Sequence, residues 1–321
     1  MTDVIVISTK RGRDAACYAE ILAKQTSPIE KLIIVRAPGC SAETDAFQTA
    51  DGGIKTQILQ SEFASAGYML TQGVRASSSD RLLFLSEDAS AVSDELTEKL
   101  GQALTDETAM AFARTLPGEK STRIRDAYQA FLNPPVSEDR TACNLFQKGI
   151  LHFFTGGSAV MLTREALALA GGFDAEALTD PFSIVAAELF YLGKTLRYEA
   201  DAVVSRKPKS ASPAAVFHRA FDLSAGMRAH VQIFGLFRRY DYKDAALHKH
   251  PVILMTRPGV YTAKFGYSVR MLARQGRVYA VPALLFLLIL ELLGNALGYG
   301  FHLWPTGLSR FFSGHRSWFS N

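Results

Sequence analysis

The first half of the chain alternates short apolar runs with amphipathic stretches. Residues 4–7, 31–35 and 82–85 are nearly unbroken Val, Ile, Leu and Phe, the pattern of strands buried on both faces. Between them, residues 14–24 and 64–76 carry helical spacing, and a weaker strand is expected over 55–59. Gln25-Thr-Ser-Pro28 and Ala37-Pro-Gly39 supply turns on either side of the second run. Residues 93–104 read as a helix with Ser93 as its cap. Strand and helix in this alternation predict βαβ units and a mostly parallel sheet, an α/β fold.

From residue 109 the texture changes. A strand is expected over 109–114, followed by an irregular Pro/Asn/Asp-rich span over 133–143. Residues 152–162 look extended but are broken by Gly156-Gly157, which reads either as a bulge or turn or as a place where backbone comes close to a ligand. A short helix over 164–170 ends at Gly171-Gly172, a common C-terminal cap. A second helix over 182–192 stops at Gly193, and strands follow near 196–198 and 202–204.

Ser212-Pro213 predicts a cap and first helical residue for a helix reaching about residue 239, with an apolar stripe through Val216, Ala220, Leu223 and Met227. Another helix is expected over 261–277. Residues 278–290 carry no charge, and the apolar character persists to Trp304. The twelve Leu, Ile, Val and Phe residues between 278 and 297 would favour bilayer insertion by roughly 4–7 kcal/mol. Glu291 returns about 2.5–3.5 kcal/mol of that, and Pro282, Gly294, Asn295 and Gly298 erode the rest. A full crossing is therefore marginal. Arg270, Arg274 and Arg277 before the run, Arg310 and Arg316 after it, and Tyr299 and Trp304 favour a helix lying in or dipping into the membrane surface. The alternatives are a helix packed against the first domain and a contact in a homo-oligomer.

Composition refines this picture. At 321 residues and 48% hydrophobic, the chain can bury one large core or two. The net charge of +4 hides an asymmetry: residues 205–321 hold 16 Lys/Arg against four acids, and the remainder is net acidic. A basic C-terminal third suits nucleic acid or an anionic membrane, and it lacks a recognisable nucleic-acid module. Three scattered cysteines, Cys17, Cys40 and Cys143, suggest reduced thiols in a cytosolic compartment. Residues 1–8 read as a strand without a basic leader, so no secretory signal is expected.

The candidate chemistry starts at Arg81-Leu-Leu-Phe-Leu-Ser-Glu-Asp88, a buried strand ending in two carboxylates. Carboxyl edges of parallel sheets are where open α/β folds bind ligands. Carboxylate oxygens there suit a hard divalent cation, which can hold a diphosphate; a solvated strand end is the plainer alternative. Arg206, Lys207, Lys209, His218 and Arg219 form a basic cluster that reads as a phosphate contact or as solvated surface. His248-Lys-His250 lacks nearby carboxylates to complete a metal site.

Several stretches, in order, resemble the family 2 glycosyltransferases with a GT-A (Rossmann-like) fold, most of all bacterial rhamnosyltransferase-type members that build surface polysaccharides. They are Val4-Ile-Val-Ile-Ser-Thr9, Gln25-Thr26 with Leu32-Ile-Ile-Val35, Ser65-Ala-Gly67 with Gly73-Val74, and Phe84-Leu-Ser-Glu-Asp88. Phe154-Thr-Gly-Gly-Ser-Ala159 and Ala168-Leu-Ala-Gly-Gly-Phe-Asp174 are the most specific. Arg219-Ala-Phe-Asp222 with Gly226, Leu303-Trp-Pro305 and Ser313-Gly-His-Arg-Ser-Trp318 echo the later segments. The resemblance covers residues 4–226, more loosely to 319. It implies a GT-A domain over 1–211 and a helical, basic and apolar membrane-associated region over 212–321.

The same resemblance implies inverting transfer of a sugar, rhamnose among the candidates, from a nucleotide-diphosphate sugar to a lipid-linked or growing glycan at the cytoplasmic face of the plasma membrane. It places Thr9 and Arg36 near the nucleotide, Asp88 on Mn2+ or Mg2+, Glu87 beside that metal or on the ribose, and Gly156 and Gly157 against sugar or phosphate. Arg219 falls on the diphosphate or a lipid phosphate. Asp180 is the expected base for the acceptor hydroxyl, with Glu188 as the alternative; Asp180-Pro181 also suits a helix cap. Departures from the family pattern are Arg36 for an Asp, Ser86 for the first carboxylate of Asp-x-Asp, Thr71 for an Asn, Thr179 for the Glu before Asp180, and Ser205 for a His. They open a second reading, a non-catalytic glycosyltransferase-like partner in a membrane polysaccharide assembly complex.

Overall fold

The computed structural model describes residues 1–8, 15–40, 48–49, 54–117, 124, 130–144, 152–175, 177, 180–206, 212–229 and 258–314. The chain forms two compact units. The first comprises Met1–Gly118, Asn133–Ala142 and Phe153–Lys207; the second comprises Glu119–Leu132, Cys143–His152 and Pro208–Asn321.

The first unit is built on one sheet. Its strands are β1 (Thr2–Ser8), β2 (Ile29–Arg36), β3 (Gln48–Thr49), β4 (Lys55–Gln60), β5 (Arg81–Ser86), β6 (Ala89–Val92), β7 (Thr108–Pro117), β8 (Glu138–Arg140), β9 (Ala159–Thr163) and β10 (Thr195–Arg206). The order is β3-β4-β2-β1-β5-β9-β7-β10-β6, with β8 also on β10. β1, β2, β4 and β5 run parallel, as do β7 and β10. β9 runs antiparallel between β5 and β7, and β3, β6 and β8 are antiparallel too. The sheet is therefore mixed rather than mostly parallel. The chain enters β9 from a turn at Gly156-Gly157, and β9 takes the antiparallel direction between β5 and β7.

Strand parity explains the layers. Val4, Val6, Leu83 and Leu85 point to one face and pack with Tyr18 and Leu22 of α1 (Ala15–Ala23) and with Leu96 and Leu100 of α3 (Leu96–Ala103). Ile5 points to the other face. A Cβ on Gly73 of α2 (Ala66–Ala76) would lie 2.5 Å from Ile5 Cγ2, so only glycine allows this approach. Phe84 shares Ile5's face and meets Phe173 and Phe182 edge-on, with centroids 5.2 and 5.3 Å away. Phe182 lies on α5 (Pro181–Tyr191), which follows the short α4 (Arg164–Leu169).

Long-range polar contacts fix the joins. Asp3, fully buried, accepts from Ser77 Oγ at 2.6 Å and from the amides of Ser78 and Ser79. Arg164 donates to the carbonyls of Val74, Ser77 and Ser79 in the same turn. Together they pin the α2–β5 connection and with it the position of β5. Ser93 was expected to cap α3, but its hydroxyl instead accepts from Val203 N. The cap comes from a distant residue: Gln25 Oε1 accepts from Thr97 N and Thr97 Oγ1, both at 2.9 Å. The two short strands expected near residues 196 and 204 are one strand, β10, continuous across an irregularity between Glu199 and Val203.

The second unit contains α6 (Pro213–Ala229), α7 (Pro258–Arg274), α8 (Val281–Tyr299) and α9 (Thr306–Phe312). Ser212 Oγ caps α6 by accepting from Ala215 N, as its sequence predicts. The stretch expected to extend this helix to residue 239 lies outside the described residues. Its buried face is Ala220, Phe221, Ser224 and Ala225, rotated from the expected stripe, on which Val216 and Leu223 are only half-buried. The cause is α8: a Cβ on Gly294 would lie 2.6 Å from Phe217 O, and one on Gly298 would collide with Phe221 O. Small residues four apart let these two backbones touch, a packing common between membrane helices.

Glu291 is not a lone charge on α8. Lys264 of α7 donates to both its carboxylate oxygens at 3.1 and 3.0 Å, and the two side chains are 3% and 16% exposed. Burial pushes the Lys264 ammonium pKa down, and Glu291 counters it. Breaking such a pair strands a buried charge. Lys264→Met is expected to lower stability by about 3–5 kcal/mol, and Lys264→Met with Glu291→Leu by much less; chemical denaturation of both variants checks this.

Candidate functional site

The chain leaves β1 for β2 and β4 on one side, then returns to β5 on the other. Open α/β sheets bind ligands where strand order reverses in this way, beyond the carboxyl ends. Register aligns three strand ends at that place: Ser8 lies opposite Arg36, and Ile7 opposite Ser86. Tyr18 Oη donates to the Glu87 carbonyl at 2.7 Å and ties α1 to the loop after β5. Thr9 lies outside the described residues.

Asp88 stands just past β5, and its carboxylate is already engaged. Arg206, the last residue of β10, donates from Nε at 2.8 Å to Oδ1 and from Nη2 at 2.7 Å to Oδ2. Ser86 Oγ donates to Asp88 Oδ1 as well. Register brings the pair together, because Arg206 sits opposite Ala89, the residue after Asp88. The side chains are only 16% and 11% exposed. Charge-assisted bonds of this kind contribute about 1.5–3 kcal/mol each. Among the described residues no three His, Cys, Asp or Glu side chains gather as a metal-binding group. With the Asp88 carboxylate chelated by a guanidinium, this arrangement does not fit the divalent cation expected there.

The diglycine turn closes on the same group. Arg206 Nη1 donates to Gly156 O at 3.3 Å. Gly156 and Gly157 hold φ of 74° and 59°, so this is a left-handed turn ahead of β9 rather than a bulge within it. Gly157 faces open space at its Cβ position. The turn is braced by Thr115 Oγ1, which bonds Ser158 Oγ at 2.8 Å, and by Arg140. Arg140 is 5% exposed, lies over the Phe112 ring at 4.7 Å and donates to Phe154 O at 2.6 Å. Burial lowers its pKa to about 10, which still leaves it charged at neutral pH.

The turn Gly171-Gly172-Phe173-Asp174 leads toward α5. Gly67 makes room for it, since a Cβ there would collide with Asp174 O, and Ser65 Oγ donates to Ala175 O. Asp180 occupies the cap position of α5, but its side chain does not cap an amide as expected; Oδ2 accepts from Ser183 Oγ at 3.0 Å. Glu188 lies in the second turn of α5, half-buried, and burial raises its carboxyl pKa.

The structure thus gathers Glu87, Asp88, Gly156 and Arg206 at one sheet edge, beside Ser86. Arg36 ends the strand next to β1, and Asp180 opens the helix whose Phe182 covers Phe84. Arg219 belongs to the second unit, where it is exposed on α6. Lys207, Lys209, His248 and His250 lie outside the described residues. The sequence reading missed Arg140, hidden in an irregular polar span, and did not pair Arg206 with Asp88 across 118 positions. Arg140→Ala is expected to cost about 1.5–3 kcal/mol, with Arg140→Lys recovering less than half because the planar stack on Phe112 is lost. Equilibrium urea unfolding measures both.

No protein-family model matches the chain, and no curated protein matches it in sequence. Solved structures do resemble it. The mannosyltransferase PcManGT from Pyrobaculum calidifontis, in complex with GDP-Man and Mn2+, is 17% identical with a TM-score of 0.51, covering 99% of this chain and 84% of that one. S. aureus TarS 1-349 in complex with UDP-GlcNAc is 10% identical with a TM-score of 0.49, covering 94% of this chain and 92% of that one. At such identities the likeness is one of fold: the chain shares its architecture with a mannosyltransferase.

Proposed function

We propose that this chain is an inverting glycosyltransferase of the GT-A type, moving a sugar from a nucleoside-diphosphate donor to a lipid-linked or growing surface glycan. The observation that carries the reading is the polar group at the strand-order reversal, where Ser86, Asp88, Arg206 and Gly156 meet beside the ends of β1 and β2. The fold shared with a mannosyltransferase solved with a sugar nucleotide supports it. Residues 1–211 would form the transferase domain, and 212–321 its membrane-associated region.

In this mechanism Thr9 and Arg36 border the nucleotide, and Glu87 faces the ribose. The open backbone at Gly156 and Gly157 admits the sugar or its phosphate. Asp180 takes the proton of the acceptor hydroxyl as that oxygen forms its bond to the anomeric carbon. The bond from the anomeric carbon to the phosphate oxygen breaks, and its electron pair leaves on the diphosphate. Glu188 is the alternative base; its raised pKa makes it the stronger base once ionised. Arg219 would approach a lipid phosphate. No step is routed through a divalent cation, since the residues do not fit one.

The second unit supplies the membrane contact. Val278–Tyr299 is long and apolar enough to cross a bilayer, and α8 has an exposed face of Leu285, Phe286, Ile289 and Leu293. These positions fall on one helical stripe, with exposed Arg270, Arg274 and Arg310 on the flanking helices. An apolar stripe with basic flanks suits a helix lying in an anionic surface, at the cytoplasmic leaflet in this reading.

Two measurements test the proposal. Transfer from a panel of nucleotide sugars, dTDP-rhamnose included, to an extracted lipid-linked acceptor should reveal one preferred donor. Asp180→Asn should then lower kcat about 10²–10⁴-fold without lowering the melting temperature; unchanged transfer would reassign the base. Total inactivity with every donor and acceptor favours the non-catalytic partner. Separately, Phe286→Asp with Leu293→Asp should abolish sedimentation with phosphatidylglycerol vesicles, and the wild-type association should weaken as salt rises. A soluble double variant that still sediments would place the contact elsewhere.

A further inference from the structure

Asp88 lies where the fold would hold the diphosphate of a sugar nucleotide, yet its carboxylate faces Arg206 through two bonds of 2.8 and 2.7 Å. The guanidinium is held on a third side by Gly156 O, next to Gly157, whose Cβ position faces open space. Its position is set by main chain: β10 ends opposite the first residue of β6, directly after Asp88. Among the described residues, three of its five N–H groups are committed to these bonds, leaving two to face a ligand. The cation at this edge is therefore built into the protein.

We propose that Arg206 supplies the positive charge that meets the donor's diphosphate, so that donor binding and transfer by this chain need no divalent cation. Asp88 is then a positioning residue that aims the guanidinium, which explains why one carboxylate suffices and why Ser86, a donor to that carboxylate, stands where a second would be. A planar fork bridging a carboxylate and a phosphate is chemistry that arginine performs and lysine does not. A metal entering at Asp88 would have to share that carboxylate with the guanidinium and sit beside its retained positive charge. As the diphosphate leaves, the electron pair on its bridging oxygen would be met by this fixed guanidinium. The inference rests on the nucleotide-sugar reading and specifies what binds the phosphates within it.

The test uses the full chain and free nucleoside diphosphates (UDP, GDP, dTDP, ADP and CDP), titrated by calorimetry in excess EDTA and again in millimolar Mn2+. The expected result is that the best ligand binds equally in both, within about twofold, a difference of only about 0.4 kcal/mol. Arg206→Ala should weaken that binding by about tenfold or more, and Arg206→Lys should restore only part of it. Asp88→Asn should weaken it less than Arg206→Ala does, with circular-dichroism melts confirming that each variant is folded. Paramagnetic resonance of Mn2+ added to wild-type protein alone should show the free-ion spectrum. Binding that requires Mn2+, or wild-type uptake of Mn2+ lost in Asp88→Asn, overturns the proposal while keeping the nucleotide-sugar reading. Failure of every nucleoside diphosphate under both conditions overturns both.

Discussion

The reversal of strand order at β1 constrains the rest of the first unit. A parallel strand buried on both faces must have neighbours on both edges, because its amides and carbonyls have no water to turn to. β2 occupies one edge of β1, so β5 can only join the other. That necessity puts the reversal of strand order at β1 and brings Ser8, Arg36 and Ser86 together at its carboxyl side. Everything polar nearby is oriented relative to it. Asp3 and Arg164 fix the incoming turn of β5 at its far end, and Tyr18 anchors the outgoing loop at Glu87. The site is precise because the strand carrying it is held at both ends.

Much of this was legible in the sequence, for definite reasons. Runs such as Val4-Ile-Val-Ile7 and Leu82-Leu-Phe-Leu85 announce buried strands because continuous apolar character has no other economical use over so short a length. Gly171-Gly172 and Gly193 announce helix ends, and all three carry positive φ. What escaped depends on partners far apart in the chain. The cap of α3 could not be read from Ser93, since the competing acceptor is Gln25, 72 positions from Thr97. The antiparallel insertion of β9 could not be read from its own residues, because strand direction is set by the connection, not by the strand. Arg140 looked like one more charge in a polar span, and burial against Phe112 and Tyr198 is a tertiary fact.

The acidic strand end shows how a partner changes the meaning of a motif. A carboxylate at a sheet edge invites a cation, and sequence alone suggests a dissolved one, since metals recur in such places. The alternative cation was in view as one member of a basic cluster. The pairing of β10 with β6 sets Arg206 against Asp88. The departure at Ser86 then acquires a physical sense. A second carboxylate there would compete for Arg206, whereas a hydroxyl donates a hydrogen bond to Asp88 and leaves Asp88 the guanidinium's partner on that side.

The C-terminal helix makes the same argument with hydrophobicity. Summing α8 residue by residue charges Glu291 and the glycines against membrane insertion, and the balance comes out near zero. The helix has faces, however, and Glu291, Asn295, Gly294 and Gly298 share one of them. Glu291 is consumed by Lys264, Asn295 by Tyr261, and Gly294 and Gly298 by backbone contact with α6. The exposed face keeps Leu285, Phe286, Ile289 and Leu293 with no charge among them. A sum over the whole helix is therefore the wrong measure for a helix with one side packed against protein and the other exposed. The protein-facing side carries the polar groups and small residues that membrane spanning would penalise, and the exposed side keeps Leu285, Phe286, Ile289 and Leu293 about half exposed, an apolar face of the kind a lipid surface covers.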